Sequence, residues 1–219
     1  MSKDFNPSYI GKRNDLLNLI PVNSKNILDI GCSTGTLGKQ IKEKFDIKVT
    51  GIELSKEMAK VALSNLDEVI IGDVEKNVMD KLGENKFDCI ILGDIIEHLR
   101  DPWHFIKECH RILEKKGAII ASIPNIRHLS TIYSLVIKGY WPYRERGIHD
   151  KTHLRFFTLK TIEKMIGYAD CKIIQIKRNY RIIDKPHRIN KIAKYLALPY
   201  VKDFLTYQFL LVCKKKERN

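Results

Sequence analysis

ILDIGCSTGTLG, residues 27–38, decides the fold of this chain. An apolar run of Ile27, Leu28 and Ile30, with Asp29 among them, stops at Gly31, and a helix-like pattern starts after Gly35. This reads as a strand, a tight glycine turn and a helix. Gly31 and Gly35 can adopt positive φ or admit a close backbone, and the N-terminus of the next helix aims free N–H groups at whatever sits above the turn. Such a turn cradles a nucleotide-like ligand.

The spacing narrows the ligand. Counting from Gly31, the second and third glycine positions of the dinucleotide fingerprint hold Ser33 and Thr36, and no Lys-Ser or Lys-Thr follows in the manner of a phosphate loop. A phosphate cradle is disfavoured. Two carboxylates remain: Asp29, and Glu53 at the end of the next strand, IKVTGIE. They suit a cation and a ribose. Asp29 or its backbone can meet an ammonium, and Glu53 can accept from both ribose hydroxyls.

Outward from the turn, short apolar runs alternate with helical patterns, as in a parallel sheet wrapped by helices. Ser55 can cap a helix through Leu66, and strands are expected at 69–72 and 87–93, the latter apolar throughout as a central strand should be. Pro102 starts a helix with Phe105, Ile106, Cys109, Ile112 and Leu113 on one face, Gly117 ends it, and residues 118–123 form the next strand. Thr158 caps a helix to about Ala169, and strands follow at 173–178 and 207–213. Residues 126–157, rich in aromatic, charged and histidine side chains, read as a substrate lid, with Tyr140, Trp141 and Tyr143 shaping a pocket and Arg144, Arg146 and Arg155 able to hold an anion. Residues 184–205 are an amphipathic basic insertion.

Length and composition fit one domain over residues 1–219, with 44% hydrophobic and 30% charged residues. No run approaches a membrane span and MSKDFNPSY lacks a signal core, so a cytoplasmic protein is expected, with a peripheral place at the membrane as the second reading. Five singly placed cysteines read as free thiols. The net charge of +13 is uneven: residues 172–219 hold 13 Lys and Arg against three acids, residues 1–171 hold 26 against 23. The basic end suggests an anionic partner such as an acidic lipid surface, a phosphorylated substrate or a nucleic acid; a solvated lysine face is the alternative.

The string Asp29-Ile30-Gly31-Cys32-Ser33-Thr34-Gly35 resembles the D/E-x-G-x-G-x-G turn of class I S-adenosylmethionine-dependent methyltransferases, with Ser33 for the middle glycine. Glu53, Gly72-Asp73 and Leu92-Gly93-Asp94 extend the resemblance over roughly residues 9–178. It implies an α/β, Rossmann-like, doubly wound sheet of seven strands, mostly parallel with an antiparallel last strand. It also implies S-adenosylmethionine as methyl donor and S-adenosylhomocysteine as product. Asp29, Gly31, Cys32, Ser33 and Gly35 then hold the methionine part, Glu53 and Leu54 the ribose side, and Asp73 and Val74 the adenine, with Gly93 lining the same site. In methyltransferases of similar sequence an N-terminal segment, here within residues 1–25, covers the cofactor, which places Tyr9 and Arg13 there; a helix packed on the sheet edge is the alternative.

Methyl transfer from a sulfonium requires alignment and exclusion of water, and a hydroxyl acceptor must also lose a proton, for which histidine is the first place to look. HDKTHLRFF resembles a segment of methyltransferase domains linked to glycan assembly; His149 or His153 is the candidate base, a structural role bonding the lid to the sheet is the alternative, and Asp94 is the competing contact to the acceptor. Glu97-His98 resembles methyltransferases of small molecules, quinones and sugars, where His98 is expected to be structural more often than basic. H-D-x-x-H is weak metal spacing, and no metal is expected. The expected function is methylation of a hydroxyl on a small-molecule or glycan precursor. An RNA methyltransferase and a non-catalytic anion-binding module remain open; base methylation is disfavoured, because the strand ends in LGDII and not in an Asn/Asp-Pro-Pro-aromatic string. Oligomeric state is not readable.

Overall fold

The computed structural model describes residues 11–76, 78–83 and 86–217; Tyr9 lies outside them. One seven-stranded sheet has the order β3-β2-β1-β4-β5-β7-β6. Its strands are β1 (Asn26–Ile30), β2 (Lys48–Glu53), β3 (Glu68–Ile71), β4 (Phe87–Gly93), β5 (Leu113–Pro124), β6 (Cys171–Tyr180) and β7 (Thr206–Lys215). Pairings from β3 through to β5 are parallel, and β7 runs antiparallel to both β5 and β6. The expected class I architecture is thus present.

Neighbouring residues on the central strands feed opposite layers. Leu28 and Ile30 of β1, Ile90 and Leu92 of β4, and Phe209, Leu211 and Cys213 of β7 enter one cluster, which also holds Phe105, Ile106, Ile162 and Met165 from α4 (Pro102–Ile112) and α6 (Leu159–Tyr168). Ile27, Cys89, Ile91, Ile120 and Val212 enter the other, with Leu16 of α1 (Asn14–Leu17) and Leu37 and Ile41 of α2 (Thr36–Lys44). Burial on both faces explains the unbroken apolar runs. All five cysteines are buried free thiols.

Two caps, Ser55 and Thr158, stand where the sequence places them, and Asp101 adds a third ahead of Pro102. The Ser55 side chain accepts from Met58 N, that of Asp101 from His104 N behind Pro102, and that of Thr158 from Thr161 N. Three boundaries differ. The helix after Ser55, α3 (Lys56–Ala62), stops short of Leu66, which turns back to pack against Gly38 and Gly51. The helix after Pro102 ends at Ile112, not at Gly117: buried Leu113 pairs with Phe87 and opens β5, and the register shift before the Cys89–Ala118 pair absorbs exposed Glu114, Lys115 and Lys116. Residues 126–137 contain α5 (Leu129–Ile132) and a π-helical turn at Tyr133–Ile137. The expected insertion is a chain of short turns with α7 (Ala193–Leu196) and α8 (Lys202–Leu205).

Gly51 in β2 sets how closely the glycine turn can approach its neighbouring strand. A Cβ there would lie 2.6 Å from Cys32 Sγ and from Leu66 Cδ1. Gly51→Ala is expected to cost about 1–3 kcal/mol through this overpacking, read as a lower urea midpoint with unchanged slope.

Candidate active site

The chain runs from β1 outward to β2 and β3, then crosses back to β4 and β5, so the topological switch point lies between β1 and β4. Ligands of open parallel sheets bind outside the carboxyl ends of the strands at such a point. Here those ends carry Gly31 and Asp94.

On the β1 side, Gly31, Ser33 and Gly35 all have left-handed backbones, with φ of 73°, 53° and 72°. The turn is anchored by Gly31 N and Cys32 N donating to Ile52 O, by Gly35 N donating to Cys32 O, and by Asn65 Nδ2 donating to Thr34 O. A Cβ on Gly31 would meet Ile95 Cδ1 at 2.8 Å, and one on Gly35 would crowd Leu66, Ala62 and Asn65 at 3.1–3.2 Å. Ser33 bears the conformational cost that glycine avoids. Its N–H donates to Glu53 Oε2 at 2.8 Å while Ser55 N donates to Oε1 at 2.8 Å, so the Glu53 carboxylate is oriented from both sides. Each of its oxygens keeps a further lone pair for a ligand hydroxyl.

The other expected donor-site residues surround this turn with unequal parts. Leu54 presents an exposed apolar side chain beside Glu53, 68% accessible. Asp73 accepts from Glu75 N and lies 3.6 Å from Lys76. Val74 packs against the main core and the Cys32 side chain is buried, which leaves Cys32 its backbone to offer. Asp29 is buried, and this burial, opposed by the Arg13 charge and reinforced by that of Glu53, pushes its carboxyl up to about 7.

On the β4 side, Asp94 is itself left-handed at φ 57°. Its carboxylate accepts from Arg13 Nη1 at 2.5 Å, from Ser122 Oγ at 2.9 Å and from Gln208 Nε2. Arg13 also donates to Asp15 and to Ser122 Oγ, and Asn179 Nδ2 joins Asp15 to Gln208. Gly93 makes room for this arrangement: a Cβ there would lie 3.1 Å from Leu16 Cδ1 and 3.7 Å from Arg13 Nη1. Arg13 therefore stands at the switch point, bonded to Asp94. Ser122 and Gln208 were not anticipated; the available signal is a single polar residue inside an apolar strand run.

His149 and His153 go to different places. His149 is buried, with Nε2 3.1 Å from Thr131 Oγ1, Nδ1 3.7 Å from Asp184 and its ring edge-on to Trp141; burial lowers its pKa against the opposing charge of Asp184. Arg144 also pairs with Asp184, and Arg155 donates to Arg100 O, so these two expected anion-binding arginines have protein partners. His153 instead meets the loop after β4: Leu154 N and Arg155 N donate to Glu97 O, and the His153 ring lies edge-on to His98 with centroids 4.7 Å apart. Burial and the neighbouring His98 pull His153 down to about 4, while burial and Asp94 push Glu97 well above the usual carboxylate range. A groove of about 630 Å³ lined by Ile166, Ile173, Gln175 and Lys216 lies at the sheet edge formed by β6, away from these groups.

Residues 28–121 match the family described as "Methyltransferase domain". The chain has the fold of class I methyltransferases. Among curated proteins it is similar to a ubiquinone biosynthesis O-methyltransferase of Pseudomonas aeruginosa, 28% identical over 131 residues that make up 58% of this chain and 56% of that one. The chain thus spans little more than half the length of this relative. The fold is shared with an S-adenosylmethionine-dependent methyltransferase from Archaeoglobus fulgidus (TM-score 0.65, 18% identity, 96% of this chain and 98% of that one). It is shared also with a Synechocystis magnesium protoporphyrin IX methyltransferase with bound S-adenosylhomocysteine (TM-score 0.60, 15% identity, 93% and 81%). S-adenosylmethionine dependence is named for the Archaeoglobus fulgidus protein, and its demethylated product is bound in the Synechocystis one. The left-handed turn, in which added Cβ atoms would collide, and the oriented Glu53 carboxylate fit an adenosyl ligand.

Replacing Ser33 by glycine removes left-handed strain and retains the backbone N–H to Glu53. Ser33→Gly is expected to stabilise the protein by about 1 kcal/mol, measured by urea denaturation.

Proposed function

We propose that this protein transfers the methyl group of S-adenosylmethionine to a hydroxyl of a small-molecule or glycan precursor, with a lipid-linked acceptor favoured. The observation that carries the reading is the meeting of two groups at one switch point: the glycine turn with Glu53, and the loop after β4, where Asp94 and Glu97 stand beside the lid's His153. The name of the Pseudomonas aeruginosa relative supports oxygen as the methylated atom.

S-adenosylmethionine supplies an electrophilic methyl on a positively charged sulfur. The chain's residues supply position and dryness. In this proposal the backbone of Gly31, Cys32, Ser33 and Gly35 receives the methionine part, with Asp29 and Arg13 beside its ammonium and carboxylate. Glu53 accepts from the ribose hydroxyls, and Leu54, Asp73 and Val74 take the adenine, with Gly93 keeping the crevice open. The acceptor enters between Asp94 and the lid, where His153 is placed to meet its hydroxyl, while His149 positions the lid through Thr131, Trp141 and Asp184.

The lipid-linked reading rests on the surface of the lid and insertion. More than half of the exposed large apolar side chains among the described residues fall between Leu129 and Tyr143 or between Ile183 and Val201, among them Val136, Ile137, Tyr195, Leu198 and Tyr200. Exposed Lys138, Lys185, Arg188, Lys191 and Lys194 are interleaved with them. The lid and the insertion that carry them are joined by the Arg144–Asp184 pair and by Arg127 over the Phe204 ring, with Asn125 Nδ2, just before the lid, donating to Asp203 O. Apolar side chains ringed by cations suit the interface of an anionic membrane. No helix among the described residues is long and apolar enough to cross one.

Two experiments test these readings. Calorimetric titration should show binding of S-adenosylmethionine and S-adenosylhomocysteine but not NAD, and Glu53→Ala should weaken it at least about tenfold through loss of charge-assisted hydrogen bonds. Because an ammonium favours the Asp29 carboxylate, affinity should fall roughly tenfold for each pH unit below 7, with proton release on binding. Unchanged affinity in Glu53→Ala contradicts the site. In co-sedimentation, the protein should follow anionic vesicles more than neutral ones and be released by salt; equal partition contradicts the membrane reading.

A further inference from the structure

Glu97 is a buried carboxylate with no hydrogen-bond partner for either oxygen among the described residues. To be ionised there, the carboxylate needs a compensating cation. What faces it is histidine: His153 Nε2 lies 3.9 Å from Glu97 Oε1, too far for a hydrogen bond but a gap that two bonds of about 2.1 Å to one ion can span. One ligand atom from each of Glu97, His98 and His153 can be chosen so that all lie within 4.8 Å of one another.

The tautomers are set for such a role. His153 Nδ1 lies 3.2 Å from Ile148 O and His98 Nδ1 lies 3.3 Å from Thr152 O. A carbonyl oxygen accepts only, so in each neutral ring Nδ1 carries the proton and Nε2 keeps its lone pair. Backbone carbonyls holding the outer ring nitrogen are the usual support of metal-binding histidines. The loop is held as well: Leu154 N and Arg155 N donate to Glu97 O at 2.8 and 3.0 Å, which fixes the lid's HDKTH stretch against the turn that carries Glu97 and His98.

We propose that Glu97, His98 and His153 bind a divalent first-row cation such as Zn²⁺ or Mn²⁺, next to Asp94 at the acceptor side of the crevice. Two imidazoles and a carboxylate leave coordination positions open. Resting on the methyltransferase reading above, the acceptor hydroxyl takes one of them and gives its proton to solvent water as it binds. The metal-held oxygen then forms the new O–CH₃ bond as the CH₃–S⁺ bond breaks, and the sulfur keeps the electron pair as a neutral thioether. His153 is then a ligand, and the cation does the work of a base.

The test uses the full chain, stripped with chelator and titrated with Mn²⁺ by electron paramagnetic resonance and with Zn²⁺ by calorimetry. One site is expected, weakened at least tenfold in both Glu97→Gln and His153→Ala, with the Nε2 resonances of His98 and His153 shifting on Zn²⁺ addition. S-adenosylhomocysteine binding, measured on the same samples, should be retained in the variants; this separates a missing metal site from misfolding and from failure of the donor reading. Absence of Mn²⁺ and Zn²⁺ binding in protein that binds S-adenosylhomocysteine, or binding undiminished in the variants, overturns the proposal.

Discussion

The carboxylate of Asp94 is the point on which the crevice depends. It receives Arg13, Ser122 and Gln208, and the path continues from Gln208 through Asn179 and Asp15 back to Arg13. This closed circuit takes Asp94 just after β4, Ser122 of β5, Asn179 of β6, Gln208 of β7, and Arg13 and Asp15 at the start of α1. Partly buried charges hold their hydrogen bonds best when each partner is itself fixed. Here the circuit keeps Asp94 in its left-handed conformation and the Arg13 guanidinium above Gly93.

The circuit can be maintained because the sheet beneath it does not yield. Alternate residues of β1, β4, β5 and β7 lock into two separate apolar layers, so a strand cannot shift by one position without turning both layers inside out. On that base the two halves of the crevice need no contact with each other to stay in register. The glycine turn hangs from Ile52 O of β2, and Asp94 N donates to Ser122 of β5. The glycine turn and Asp94 are thereby set by parallel pairing, and the lid docks on that frame through Glu97 O.

What was legible in the chain was local. The glycine turn, the continuous apolar strands, the helix start at Pro102 and the caps at Ser55 and Thr158 are short-range patterns with short-range causes. Gly117 misleads because a glycine after a helical face reads as a stop, whereas here it lies inside β5, where a Cβ would come 2.8 Å from Leu113 and 3.0 Å from Asp88 O. The acceptor side was legible only in part. Nothing in the spacing of Glu97-His98 and His153 says that they meet, because the meeting is made by a lid that docks on Glu97 O. Likewise His149, one residue before Asp150, turns to Asp184 in a distant insertion. Ser122 and Gln208 stand in apolar runs, and their role appears once β5, β7 and β4 are adjacent.

The central claim is that methyl leaves the sulfonium for an oxygen held beside Asp94 and His153. Its most direct test is incubation with S-adenosylmethionine carrying a deuterated methyl group and a panel of phenolic, sugar and lipid-linked acceptors, followed by mass spectrometry of the products. The account predicts enzyme-dependent label in an O-methyl ether. Label carried on nitrogen or in RNA, or label in no product while the donor binds, would contradict it.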